Sequence, residues 1–108
     1  MGDRVSVSFV NEGRESVTLF CHWGGKGFVT EAVAYLKDLH RELEKRDHNG
    51  DPIGRLDPET VMVDFIRHMT KDIKMVTSDL YLGKDQSDGD NSDNGHWALN
   101  VKDACVEI

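Results

Sequence analysis

Long apolar runs are missing from this 108-residue chain. No stretch approaches the ~20 apolar residues of a membrane-spanning helix. The first residues, Met-Gly-Asp-Arg-Val-Ser-Val, lack an apolar run with a small-residue cleavage site, so no signal peptide is expected there. Gly2 follows Met1, but Asp3, Arg4 and the strand-like run behind them argue against myristoylation. Basic residues are also in deficit: 13 Lys and Arg face 20 Asp and Glu, a formal net charge of −7. A phosphate-backbone binder needs a basic face, so neither nucleic acid nor a membrane is an expected partner.

Cysteine is scarce. Cys21 and Cys105 form no CxxC. A reduced pair of buried thiols in a cytoplasmic protein is the plain reading, and a cross-strand disulfide stays open. Catalytic signatures are missing as well. His40, His48, His68 and His96 show no HExxH spacing, no serine lies in a GxSxG elbow, and GxxxxGK[ST] does not occur. There is no internal repeat. The length fits one domain, residues 1–108, which can bury roughly two-thirds of its unfolded surface.

What is present is patterned. Residues 4–10 alternate, with Val5, Val7 and Phe9 on one face and Ser6 and Ser8 on the other, as in a half-buried strand. Asn11-Glu12-Gly13-Arg14 is a turn, and residues 16–23 form a second strand with Val17, Leu19, Cys21 and Trp23 opposite Thr18, Phe20 and His22. After Gly24-Gly25-Lys26-Gly27, helical spacing joins Val29, Ala32, Val33, Leu36, Leu39 and Leu43, with Thr30 as candidate N-cap and an end near Arg46. Residues 47–54 read as a loop. Asp57 as cap, Pro58 in the first turn and Glu59 at the positive end open a second helix, running to about Lys71. Residues 73–82 read as extended, 83–95 as a loop, 96–101 as a strand and 105–108 as a last short strand.

The order β-β-α-α-β-β predicts an α+β fold, an antiparallel sheet of four to five strands with two helices packed on one face. Strands and helices do not alternate as in a dinucleotide-binding fold.

Two local features carry the functional candidates. The first is the loop 85–95, with Asp85, Asp88, Asp90 and Asp93 and, in sequence, only Lys84 nearby as counter-charge. From Asp90 the register Asp90-x-Ser92-x-Asn94-Gly95 copies the first half of a calcium loop. Val101 stands where the twelfth-position Glu of an EF-hand belongs, so an EF-hand is excluded. A looser calcium or magnesium site drawing on Asp88, Asp90, Ser92, Asp93 and Asn94 stays open, beside a solvated hairpin loop turning at Asn94-Gly95 and a docking surface for a basic partner.

The second feature is His22-Trp23 followed by the glycines. A Gly-rich strand-to-helix turn could cradle a small anion with Trp23, Gly24, Gly25 and Lys26, although glycines also simply permit a tight reversal. Trp23 alone reads as core or rim packing. His22, on the face opposite Trp23, reads as a structural residue or as a catalytic one joining the acidic loop around a metal ion.

Arg4, the strand ending in His22-Trp23-Gly24-Gly25, the helix Val29 to Leu36, and Asp90-Asn91-Ser92-Asp93-Asn94-Gly95 before a strand together resemble a family of small, uncharacterised proteins of prokaryotes and their phages. The resemblance covers both ends of the chain, leaves residues 44–72 unmatched and implies no activity. The leading expectation is a small cytoplasmic binding or regulatory protein acting through contacts with a basic protein partner, with a homodimer possible through an open sheet edge or a helix face. The alternatives are a divalent-metal-dependent hydrolase using His22, Asp90 and Asp93, and an anion binder at Gly24–Gly27.

Overall fold

The computed structural model describes residues 2–46, 56–72 and 79–106. The expected loop at 47–54, most of the extended run at 73–78 and the end of the last strand at 107–108 lie outside them. The fold is α+β. Its elements are β1 (Val5–Asn11), β2 (Arg14–Glu15), β3 (Thr18–Cys21), α1 (Gly25–Arg46), α2 (Pro58–Thr70), β4 (Leu80–Gly83), β5 (His96–Asn100) and β6 (Cys105–Val106).

The strand order is β4-β3-β1-β5-β6, with β2 pairing β1 beyond β3. The sheet is mixed, which corrects the antiparallel expectation: β1 and β5 run parallel, from Ser6 opposite His96 to Val10 opposite Asn100. The last strands therefore do not form a hairpin with β4. The chain leaves β4 at one edge, crosses β3 and β1, and enters β5 beside β1. Residues 84–95 make that crossing.

Glu12 and Gly13 both take positive φ, 54° and 77°, as a two-residue hairpin turn requires. The expected single strand over 16–23 is broken. Val10 pairs with Glu15 but Val7 with Leu19, so the second arm carries one extra residue at Ser16–Val17. Such a bulge reverses the alternation. Glu15 and Thr18 thus face the same side. Ser16 spans the irregularity, its N–H donating to Phe9 O at 2.8 Å and its Oγ accepting from Phe9 N at 2.9 Å.

Both helices lie on the face bearing Val5, Val7 and Phe9. Phe9 meets Tyr35 of α1 and Phe65 of α2 with ring centroids 6.3 and 5.4 Å apart. Val61, Met62, Leu36, Ala32, Phe28, Leu19 and Leu99 complete the buried cluster. Asp57 caps α2 as expected, its side chain accepting from Glu59 N at 3.0 Å. For α1 the expectation shifts. The helix begins at Gly25, so Gly25 and Gly27 lie in its first turn. Thr30 is no cap, since its hydroxyl donates to Lys26 O inside the helix at 3.3 Å.

The expectation of two reduced, buried thiols needs correcting only in the burial of Cys105. Cys21 is buried on β3, Cys105 is exposed on β6, and both are free. Two strands, β1 and β5, stand between theirs.

Candidate functional site

The face of the sheet away from the helices is not bare. Residues 84–95 fold back across it. Phe20 and Tyr81 stack there, 4.9 Å apart and 6° from parallel, and Tyr81 Oη accepts from Asp90 N at 2.9 Å. A Cβ on Gly89 would stand 2.7 Å from the Tyr81 ring and 2.9 Å from Phe20, so glycine lets this backbone lie against the aromatic pair. Asn91 Nδ2 donates to Ser6 Oγ at 2.9 Å.

Beneath the crossing lies a polar cluster that sequence spacing did not reveal. Ser6 Oγ is 2.8 Å from His96 Nδ1, and Ser8 Oγ is 3.1 Å from Nε2. Ser8 also donates to Glu15 Oε2 at 2.5 Å, and that oxygen stands 3.5 Å from His96 Nε2. The bulge brings Glu15 here. Ser, His and Glu in this order resemble a nucleophile, a base and a carboxylate, but Ser6 and Ser8 have no exposed surface. Moreover, the carboxylate bonds to the serine rather than to the far ring nitrogen of the histidine. The cluster ties β1, β2, β5 and the crossing together. The signal that could have found it is the run of polar residues on one side of β1, too apolar a strand on its other side to leave them unpartnered.

The two regions singled out from sequence meet at one end of the sheet, where β3 ends and β5 begins. Their link is Asp3-Arg4. Asp3 N donates to His22 O at 2.8 Å, and Asn94 N donates to Arg4 O at 2.9 Å. Arg4 Nε lies 3.1 Å from Asp90 Oδ2, and Arg4 Nη1 lies 3.4 Å from Asp93 Oδ2, which also accepts from Arg4 N at 2.9 Å. Arg4 thus joins Lys84, which acts on Asp85, as a counter-charge of the acidic loop.

The calcium-loop register is not realised as a ring of inward oxygens. Asp90 Oδ1 accepts from Ser92 N at 3.0 Å, Asp88 Oδ2 accepts from Lys84 N at 2.5 Å, and Asn94 donates its amide to Asp3 Oδ1 at 2.6 Å. Gly95, at φ +80°, closes the turn by donating to Asn91 O at 2.7 Å, in place of the expected two-residue Asn94-Gly95 turn. Among the described residues, no three His, Cys, Asp or Glu side chains are grouped as a metal ion would need. The Asp90 carboxyl is held below the usual carboxylate range, first by Ser92's side chain, then by its backbone N–H, with smaller contributions from Arg4 and His22.

The glycine turn is likewise engaged from within. Gly25 N donates to Asp3 O at 2.9 Å, and the Asp3 carboxylate lies against the space a Gly25 side chain would fill. An external anion approaching Gly24, Gly25 and Lys26 would meet that carboxylate. Gly25, at φ +56°, has the backbone this close approach demands.

His22 and Trp23 lie in a bend past β3 rather than on its two faces, with rings edge to face at 4.7 Å. His22 N donates to Asp79 O at 2.9 Å, and Trp23 N to Asp79 Oδ1 at 3.2 Å. Trp23 is 59% exposed, against the expectation of core or rim packing. The sheet end therefore presents an exposed indole, a histidine, and the carboxylates of Asp3, Asp79, Asp90 and Asp93 around Arg4.

No family model, curated protein or solved structure matches the chain.

Proposed function

We propose that this protein is a small binding module that recognises a basic protein partner, taking a cationic side chain at the Trp23 end of the sheet. The observation that carries this reading is the exposed Trp23 indole, on a residue whose backbone N–H is held by Asp79, among acidic neighbours. A solvated indole forgoes roughly 1.5–3 kcal/mol of burial. Its face attracts lysine or arginine, by about 0.5–2 kcal/mol depending on desolvation. Four carboxylates against one guanidinium leave the neighbourhood negative, and the net charge of −7 steers a cationic partner toward the molecule.

The test is a titration with an unstructured Lys/Arg-rich peptide, followed by tryptophan fluorescence in a Trp97→Phe background and by calorimetry in the native chain. Binding should weaken about tenfold in Trp23→Ala, a loss of ~1.4 kcal/mol, and should weaken further with added salt. A peptide that binds Trp23→Ala and the native chain equally well would defeat this reading.

The metal-dependent hydrolase has one observation in its favour: His22 and Asp90 share an end of the sheet, and His22 is among the smaller causes that lower the Asp90 carboxyl. It requires Arg4 to release Asp90 and Asp93. A thermal shift with calcium, magnesium, manganese or zinc that disappears in Asp90→Asn/Asp93→Asn would favour it over the binding module.

A further inference from the structure

On the helix side the two-helix layer stops short of the β6 edge. A groove of about 460 Å³ remains there between α1 and the outer strands. Its floor is Trp97 of β5 and Val106 of β6, both half-buried, whereas Leu99 beside them is fully covered. Its wall is one stripe of α1, in which Val29 and Val33 supply apolar surface and the small side chains of Thr30 and Ala34 leave room for close approach. The stripe begins at Lys26 and ends at Lys37, eleven residues and therefore about 16 Å apart along the axis.

In a chain of net charge −7, the charged residues among the described lining of this groove are Lys26 and Lys37. Among the described residues, neither lysine belongs to an ion pair. The form of the groove selects the form of its occupant. An extended peptide would need the free edge of β6, and two residues offer too short a ladder. A helix laid alongside α1 would instead extend the existing layer, apolar stripe against apolar stripe, at the 8–10 Å spacing of packed helices.

We propose that this groove docks an amphipathic helix of a partner protein, with a carboxylate at each end of its apolar stripe to meet Lys26 and Lys37. The groove is not lined by Trp23, although it begins at Lys26 just beyond it, and its charge preference is the opposite one.

The probe is an alanine-based helical peptide with leucines along one stripe and a glutamate at each end of it. Its counterpart carries lysine at both ends. Binding is read from Trp97 fluorescence in a Trp23→Phe background, which keeps the result independent of the Trp23 reading. The glutamate peptide should bind better than the lysine peptide. Lys26→Glu/Lys37→Glu should lower its affinity about tenfold and reverse the preference. Ala34→Glu, at an exposed position that leaves the core intact, should block binding while circular dichroism and the melting temperature hold. Equal affinity for both peptides, or indifference to the lysine reversal, would overturn the proposal. So would a dimer that Ala34→Glu dissociates, which would make a second copy the occupant, or binding seen only after removal of Glu107 and Ile108, which would make the chain's own end the occupant.

Discussion

Side chains of β1 and β2 converge on the imidazole of His96, whose side chain keeps only 11% of its surface. Each of its ring nitrogens faces a buried serine, and buried polar groups are costly to leave unpaired. Ser8→Ala should therefore destabilise the fold by about 1–3 kcal/mol in urea denaturation, and Ser6→Ala should act through the same histidine, so the double variant should fall short of the sum. None of this was legible beforehand. Ser6, Ser8, Glu15 and His96 are common residue types, and only the bulge and the parallel pairing of β1 with β5 bring them together. The thiols make a second residue-scale prediction. Burial is the largest cause raising the Cys21 thiol above its ordinary pKa, with Asp79 and Asp3 adding to it, and a thiolate is the reactive form. A disulfide reagent should thus label Cys105 in the native protein and Cys21 only after unfolding. Asp90 sets a third. Its carboxyl titrates lower in the fold than in the unfolded chain. Its stabilising contribution is accordingly complete above the ordinary carboxylate range near ~3.9 and is lost as pH falls through the lower folded value. Melting temperature followed against pH should fall less steeply in acid for Asp90→Asn than for the native chain.

At the scale of elements, α2 was the most legible. Asp57-Pro58-Glu59 and the spacing of Val61, Phe65 and Met69 state a capped amphipathic helix, and the cap is made. Asp57→Ala should cost about 1 kcal/mol. Phe65 is fully buried among Phe9, Phe28 and Tyr35, and Phe65→Ala should cost about 3–5 kcal/mol. Both are readable from chemical denaturation. The start of α1 was less legible because glycine argues against helix on propensity. Here Gly25 is set by the contact with Asp3, which lies far from it in sequence. The β4–β5 connection misled for a different reason. Two strands flanking a turn-rich loop read as a hairpin, and nothing local records that the loop spans two intervening strands. Crossing them takes ~14 Å at the spacing of paired strands, well within the reach of residues 84–95. Asp88, Asp90 and Asp93 look like a cation site for the same reason: the neutralising Arg4 comes from the other end of the chain.

For the molecule as a whole, charge and surface point in two directions at once. The end of the sheet is acidic and carries an exposed indole, while the groove beside α1 is apolar and rimmed by lysines. Binding of cationic peptides at the Trp23 end should weaken as ionic strength rises past the point where the screening length drops below about 10 Å. A Trp23→Ala chain should bind more weakly but keep that dependence, because the carboxylates remain. The candidate sites were thus half legible. His22, Trp23, Asp90 and Asp93 were singled out and do share one neighbourhood; Arg4 was noted only as part of a resemblance, and Asp3 and Asp79, which help organise it, gave no local signal.

The place of β1 in the middle of the sheet has a consequence for how the chain is made. On one side β1 pairs with β3, formed only a few residues later, but on the other it pairs with His96–Asn100. Until residues 96–100 have been translated, the central strand therefore shows one open edge, the kind of surface that recruits neighbouring chains. Ser6 lines that strand too, and its side-chain partners Asn91 and His96 come as late. Truncated products ending before residue 96 should aggregate where the complete chain does not.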